Sequence, residues 1–373
     1  MACADHVDHV IVIKVGTSTL LDEAGALDTA YVGELCEQVV ALKARGKRPV
    51  VVTSGAVGCG MKRLGLSERP SDMPTLQACA AAGQVLLAEA YEAALAPAGV
   101  VAAQVLLTRN DVLARDAYLN AKNTLVRLVE LGAVPVVNEN DTVSVEEVSF
   151  GDNDMLGALV ATMLDAERYV ILSDIDGLYD KDPRTHDDAQ LVEEVTAIDG
   201  ALMQAASGAG TGVGTGGMRT KLRAARALLA AGIPMTITAG RVPGCVLGAL
   251  EGSLRATHFT PVGHTREPAR KLWIGLATTP RGTVVVDDGA VEALEVAGAS
   301  LLPVGVVEVT GAFDEGDVVN VTNREGALLA RGISRYSGDD LRRVAGLQSS
   351  VIARFLPQKA DVPAIHRDEL FIL

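Results

Sequence analysis

Aromatic side chains are scarce in this chain: one Trp, six Tyr and five Phe among 373 residues, although 49% of the residues are hydrophobic. The core must therefore be built from Ala, Val, Leu and Ile. The five cysteines (Cys3, Cys36, Cys59, Cys79 and Cys245) are odd in number, scattered, and form no C-x-x-C. That pattern excludes a disulfide framework and a thiolate metal site, and reads as small buried hydrophobes in a reducing compartment. The six histidines show no metal-ligand spacing. No run approaches the roughly 18 apolar residues needed to cross a bilayer. The opening "MACADHVDHV" is acidic, and Lys14 interrupts the apolar run behind it, so no signal peptide is expected and the location expected is cytoplasmic. Positive charge is also short: 33 Lys and Arg stand against 47 Asp and Glu, a net charge of −14. Broad nonspecific affinity for nucleic acid needs a basic surface and is not expected.

What is abundant is alternation. β-branched runs at 9–16, 48–55, 99–108, 133–141, 168–174 and 234–240 are separated by helical patterns near 28–45, 75–96, 118–131, 153–165 and 219–231. Continuous apolar strands divided by helices predict an α/β fold, an open and mostly parallel sheet sandwiched by helices. The chain is long enough for a second domain. "FTPVGHTREPARKLWIGLA" (259–277) loses the βα rhythm, and shorter strands follow it. The expected division is 1–260, a linker at 261–280, and a small β-barrel-like domain at 281–373.

"GAGTGVGTGGMRTK" (208–221) raises the question of phosphate. Gly212, Gly214 and Gly217 satisfy G-x-G-x-x-G, but the stretch before them does not read as a strand, and the next strand closes on Ala239-Gly240 with no carboxylate. Lys221 is followed by Leu222, so the Gly-Lys-Ser/Thr ending of a P-loop is missing too. A helix follows, with Leu222, Ala225, Leu228 and Leu229 on one face, a stop at Gly232 and Pro234 beyond. Lys221 falls in its first turn, against the helix dipole, which is reasonable if loop and lysine share an anion. A flexible surface loop with an incidental lysine fits this stretch equally well.

Polar residues collect at the carboxyl ends of the predicted strands: Lys14 to Ser18, Thr53-Ser54-Gly55, Asn138-Glu139-Asn140-Asp141, and Ser173-Asp174. Open α/β sheets bind ligands at that edge. Lys14 lies inside "VIVIKVG", where an unpartnered ammonium would cost several kcal/mol (order of magnitude), so it needs an anion, either a protein carboxylate or a ligand. Two lysines on one edge suit phosphoryl transfer. "GDNDMLGALV" (151–160) opens a helix with more Asp and Asn than one N-cap requires, and could hold the ammonium and carboxylate of an amino acid.

Together "VIVIKVGTSTL", "VVVVTSGAVGCG", "LLTRND", "YLNAKNTL", "PVVNENDTV", "FGDNDMLGA", "LSDIDGLYDKDPR" and "GVGTGGMRTKL" resemble the amino-acid kinase family, and within it the glutamate 5-kinases, from about residue 9 to 368. The resemblance implies ATP-dependent phosphorylation of the L-glutamate side-chain carboxylate, the first step of proline synthesis. Carried over by position, it implies Lys14 and Lys221 as catalytic lysines and Asp154 as the acid that holds them. It implies Ser54, Asp141, Asp152, Asn153 and Asn138 as glutamate contacts, and Lys14, Ser173, Asp174, Thr215, Gly216, Gly217, Met218, Arg219, Thr220 and Lys221 as nucleotide contacts. Mg2+ is implied as the ATP counterion, without nameable protein ligands. Proline as feedback inhibitor, a homo-oligomer and handover of product to glutamyl phosphate reductase are implied as well, with "GLSERPSDMPTLQACAAAGQ" (65–84) as a candidate lid. A carboxylate with pKa near ~4 is already a nucleophile at neutral pH, so no general base is expected.

The tail resembles a PUA domain, a module used to bind RNA. Residues 276–373 hold nine Lys and Arg against fourteen Asp and Glu, so RNA is not expected as a partner despite the cluster Arg331, Arg335, Arg342 and Arg343 with Tyr336 available for stacking. Two rival readings stand: an RNA-binding or regulatory protein acting through the tail, and a sister enzyme such as acetylglutamate kinase or aspartokinase.

Overall fold

The structure is a computed structural model; it describes residues 7–108, 111, 115–143, 153–181, 183, 185–198, 202, 217–263, 274, 280–295, 298–354 and 356–372. The chain divides into two compact units, 1–266 and 267–373. Most of the expected linker, 261–280, lies outside the described residues.

In the first unit, β1 (Val10–Val15) is buried along its whole length and is followed by the short α1 (Thr17–Leu20) and by α2 (Thr29–Ala44). The Asp28 carboxylate caps α2 by accepting from Tyr31 N at 3.0 Å. Next come β2 (Arg48–Val52), α3 (Ala56–Arg63), α4 (Met73–Leu95), β3 (Ala102–Leu107), α5 (Arg115–Glu130) and β4 (Val134–Glu139). The unit continues with α6 (Asn153–Met163), β5 (Arg168–Ser173), β6 (Glu194–Val195), α7 (Met218–Ala231), β7 (Met235–Ala239), α8 (Cys245–Glu251) and β8 (Ala256–Phe259). Among the described residues these strands form one sheet of order β3-β4-β2-β1-β5-β7-β8-β6. All pairings are parallel except β7 with β8, which is antiparallel in the register Met235 to Phe259.

Ile11, Ile13 and Val15 of β1 pack with Leu35, Val39 and Leu42 of α2, Tyr91 and Leu95 of α4 and Val246 of α8. Lys14 belongs to the other face by strand alternation, where α6 and α7 lie against each other and α6 against β1. The expected strands and helices are all present. Sequence periodicity missed α1, α3, α8, β6 and β8, because two to eight residues are too few to show a period. The candidate lid, 65–84, is a loop only as far as Asp72. From Met73 it is α4, and Cys79, Ala80, Gly83 and Gln84 are buried in it.

In the second unit β9 (Gly282–Val286), α9 (Asp288–Glu295), β10 (Val306–Gly311), β11 (Val318–Thr322), β12 (Leu328–Ser334), α10 (Gly338–Val344), α11 (Ser349–Ile352) and β13 (Ile365–Ile372) follow in order. Among the described residues the sheet runs β10-β9-β11-β12-β13 over a core that includes Val284, Val319, Tyr336 and Leu341. "DEGD" and "NREG" form turns, but "DDG" (287–289) opens α9, whose first amides are capped when Asp287 Oδ1 accepts from Ala290 N at 2.8 Å.

Tyr336 is not available for stacking: it is fully buried, and its hydroxyl donates to Lys359 O at 2.8 Å and Val362 O at 2.9 Å. The arginines around it are paired. Arg335 meets Glu369 at 2.9 Å, Arg342 meets Asp339 at 2.6 Å, and Arg343 meets Asp340 at 3.8 Å. Arg331 Nε donates to Asn320 Oδ1 at 3.1 Å.

Candidate active site

The order of the first sheet reverses at β1. From β1 the chain crosses to β2 on one side, and from β4 it crosses back through α6 to β5 on the other. A crevice opens at the carboxyl end of such a reversal point. Lys14 is the last but one residue of β1, in register with Val52 of β2 and Ile171 of β5.

Its ammonium lies 2.6 Å from Asp154 Oδ1. The other oxygen of the same carboxylate accepts from Lys221 Nζ at 3.0 Å and from Thr220 Oγ1 at 3.0 Å. Asp154 is 0% exposed, Lys14 3% and Lys221 6%, so the triad is taken out of bulk water. Its anionic partner for Lys14 is thus a protein carboxylate, one of the two alternatives the sequence left open. The local reasons are visible. Asp154 lies in the first turn of α6, where a carboxylate is favoured by the helix dipole, whereas Lys221 in the first turn of α7 is disfavoured there and is offset by Asp154. The triad carries one net positive charge, and α7 starts on Gly217 without a side-chain cap, the kind of helix start that suits an anion.

Asn153, one residue before Asp154, ties three segments together. Its Nδ2 donates to Thr53 O at 2.6 Å, Asn138 Oδ1 at 2.7 Å and Ser54 Oγ at 3.2 Å. Asn138 Nδ2 donates in turn to Gln84 Oε1 at 2.8 Å. The chain Gln84–Asn138–Asn153–Ser54 thus joins α4, β4, α6 and the end of β2. Gly55, at φ +87°, makes the left-handed turn that starts α3 immediately after Ser54.

Asp141 lies beside this chain in a cleft of about 260 Å3 whose wall includes Ala80, Gln84, Val85, Glu139 and Thr142. Burial, reinforced by the Glu139 carboxylate and opposed by Arg69, pushes the Asp141 carboxyl up to about 6. At the end of β5, Ser173 is buried and its Oγ donates to Asp174 Oδ1 at 3.0 Å, while Asp174 itself is exposed. Arg219 is exposed in the first turn of α7. Asp152, Thr215 and Gly216 lie outside the described residues.

The sequence reading had not singled out Gln84 or Tyr169. Tyr169 is fully buried in β5, and its hydroxyl donates to the backbone oxygen of Asp154 at 3.0 Å, which fixes the start of α6. A tyrosine in the otherwise aliphatic "RYVILS" was the available signal. Gln84 gave none, since a glutamine in a helical pattern reads as a surface residue.

A model of the amino acid kinase family matches residues 9–239, which include all of these residues. The chain belongs to the amino acid kinase family. A PUA domain model matches residues 282–356. Across 97% of its length the chain is 47% identical to a glutamate 5-kinase of Myxococcus xanthus (strain DK1622), covering 96% of that protein. It is 43% identical to one from Pelobacter propionicus (strain DSM 2379 / NBRC 103807 / OttBd1), covering 97% of each. Among solved structures, carbamate kinase from Giardia lamblia bound to AMP-PNP superposes with a TM-score of 0.50 at 18% identity, over 68% of this chain and 98% of that one. That likeness concerns the amino acid kinase fold alone, and it agrees with the mostly parallel sheet.

Proposed function

We propose that this chain transfers the terminal phosphoryl group of ATP to the side-chain carboxylate of L-glutamate, giving glutamyl 5-phosphate and ADP, the first step of proline synthesis. The observation that carries this reading is the buried Lys14–Asp154–Lys221 triad at the reversal point of the sheet, joined through Asn153 to the cleft that holds Asp141. An oxygen of the side-chain carboxylate attacks the γ-phosphorus, that P–O bond forms, and the bond to the bridging oxygen of ADP breaks. No proton moves, so the site needs no base.

The barrier is repulsion between the carboxylate and the phosphates, with charge spreading over the transferring oxygens. Lys14 and Lys221 meet that charge, and Asp154 fixes both ammonium groups before the substrates arrive, so little reorganisation is left for the reaction itself. Gly217, Met218, Arg219 and Thr220 at the start of α7 contact the nucleotide; the resemblance adds Thr215, Gly216, Ser173 and Asp174 as nucleotide contacts. Asp141 takes the substrate ammonium. Ser54, Asn138, Asp152 and Asn153 shape the rest of the amino-acid site. Because Asn153 Nδ2 is spent on protein acceptors, Asn153 acts on substrate through its oxygen or its backbone amide.

Two ammonium groups around one carboxylate are a donor set for phosphate oxygens and do not fit a protein-ligated cation. Mg2+ would instead come with the ATP phosphates, where it would supply neutralisation of their charge. The resemblance further supports a cytoplasmic homo-oligomer, inhibited by proline, that passes its product to glutamyl phosphate reductase. Among the described residues no helix is long and apolar enough to cross a membrane.

The test is ADP release with glutamate, N-acetylglutamate and aspartate, with hydroxylamine trapping the acyl phosphate. Glutamate is expected to be preferred over N-acetylglutamate by more than an order of magnitude in kcat/KM, since a half-buried carboxylate made for an ammonium rejects an acetylated amine. Preference for either rival substrate would sink the assignment. Proline is expected to lower activity at subsaturating glutamate.

A further inference from the structure

Gln84 is 8% exposed, in the wall of the Asp141 cleft. The direction of every amide in the chain leading to it is fixed by backbone groups. Glu139 N can only donate, so the Asn138 atom it meets at 2.9 Å is the oxygen. Thr53 O can only accept, so the Asn153 atom that meets it at 2.6 Å is the nitrogen. Asn153 therefore also points its nitrogen at the Asn138 oxygen, and the Asn138 nitrogen must face Gln84. Gln84 has to present its oxygen inward, because a flip would set two NH2 groups against each other.

The consequence is a surplus donor. Gln84 Nε2 is buried and has no hydrogen-bond partner among the described residues. A buried amide donor left unsatisfied carries the full cost of its lost hydration, and an acceptor presented from the cleft would remove that cost. The cleft it lines already has carboxylates in Asp141 and Glu139. Those carboxylates suit an ammonium and repel an anion. In an amino acid the α-carboxylate is bonded to the same carbon as the ammonium, so a zwitterion that places its ammonium against Asp141 brings an anionic oxygen to the same wall and needs a neutral donor there.

We propose that Gln84 is a specificity-determining residue, whose Nε2 donates to an α-carboxylate oxygen of the amino-acid substrate while its Oε1 orients Asn138. This rests on the reading that the cleft takes a free amino acid. It explains why a glutamine is suited to the position: one end of the amide keeps the internal chain in order and the other end reads the substrate.

The experiment uses the full chain and two substrates that share a side-chain carboxylate, L-glutamate and its α-amide (L-isoglutamine), with kcat/KM measured for each. In Gln84→Glu the acceptor for Asn138 is retained, but an oxygen replaces Nε2. The KM for glutamate is expected to rise about tenfold or more with the KM for ATP unchanged, because a buried acceptor is set against the substrate carboxylate. The preference for glutamate over its α-amide should fall by at least about tenfold, since a carboxamide can donate to the introduced oxygen. Gln84→Met, of similar length but without either polar group, should also lose discrimination, and it carries the test if Gln84→Glu does not fold. An unchanged preference in a folded variant overturns the proposal, and so does failure of both variants to fold, which would make the side chain structural. A wild-type chain that releases no ADP with glutamate overturns the functional reading itself and this inference with it; a wild-type chain active on glutamate whose discrimination survives the substitutions overturns only the role of Gln84.

Discussion

The ammonium of Lys14 lies 2.6 Å from the carboxylate of Asp154, and neither residue is more than 3% exposed. Because the second carboxylate oxygen holds Lys221, removal of the acid and removal of one lysine have different consequences. Asp154→Asn leaves two buried ammonium groups around a neutral amide, a change of the kind that costs ~3–5 kcal/mol. Thermal melting should fall by roughly 10 °C, with loss of kcat. Lys14→Ala and Lys221→Ala each leave Asp154 with one cation. Both should fold and should lose kcat far more than they raise the KM for glutamate, because the charge they meet is greatest in the transition state. A change confined to the KM for glutamate would remove the lysines from the catalytic role.

Asp141 gives a pH dependence. Burial raises its carboxyl to about 6, above the ordinary 3.8. A raised carboxyl pKa means that the folded state holds its proton longer than the unfolded one. Its contribution to stability is fully present below 3.8 and is lost as pH rises through about 6. Binding an ammonium requires the ionised form, so kcat/KM for glutamate should fall as pH drops below about 6. The limb in kcat should lie lower, since the bound ammonium favours the carboxylate. Asp141→Asn should abolish the limb, raise the glutamate KM, and melt at a higher temperature than the wild type at pH 8. Persistence of the limb in that variant would assign it to another group.

Asn153→Ala removes donors from Thr53 O, Asn138 Oδ1 and Ser54 Oγ in a buried setting. The expected cost is ~2–3 kcal/mol, seen as a lower denaturant midpoint. The KM for glutamate should rise more than the KM for ATP. Equal rises would place Asn153 outside the amino-acid site.

Helices α3 and α4 touch at glycines. A Cβ on Gly83 would stand 1.8 Å from Ala56 O, and one on Gly60 would stand 1.7 Å from Cys79 O. Gly83→Ala must therefore push α4, and Gln84 with it, away from α3. Destabilisation of ~3 kcal/mol or more is expected, together with a raised glutamate KM. A variant as stable as the wild type would contradict this packing.

For the second unit, salt-sensitive RNA binding is not expected. Arg335, Arg342 and Arg343 are paired with carboxylates and Tyr336 is buried. A filter-binding titration at moderate salt checks this. Micromolar or tighter binding abolished by Arg342→Glu with Arg343→Glu would reverse it. Deletion of residues 276–373 should leave glutamate phosphorylation measurable, because every residue assigned to it precedes 222.

Much of this was determined by the sequence. Apolar runs such as "VIVIKVG" and "RYVILSD" could only be buried strands, the long amphipathic stretches between them could only be covering helices, and a lysine within the first run had to meet an anion. These are local properties, set by side-chain period and by the cost of burying charge. The polar ends of the strands marked the edge where chemistry belongs for the same reason. Only the tertiary structure decided the partners. Asp154 is 140 residues from Lys14 in sequence, and the Lys221–Asp154 and Asn153–Thr53 bonds span 67 and 100 residues. Nothing in local periodicity says which carboxylate a buried lysine will find. Asn153 had looked like a cap or a substrate contact, yet its amide nitrogen is committed to the end of β2. Tyr336 had looked like a stacking platform, yet it fills a core. In both cases the residue type fixed what the side chain could bond, and the packing of distant segments fixed what it bonds. Gln84 is the clearest instance: its surplus donor exists only because two backbone groups, on β4 and at the end of β2, settle the direction of every amide between them.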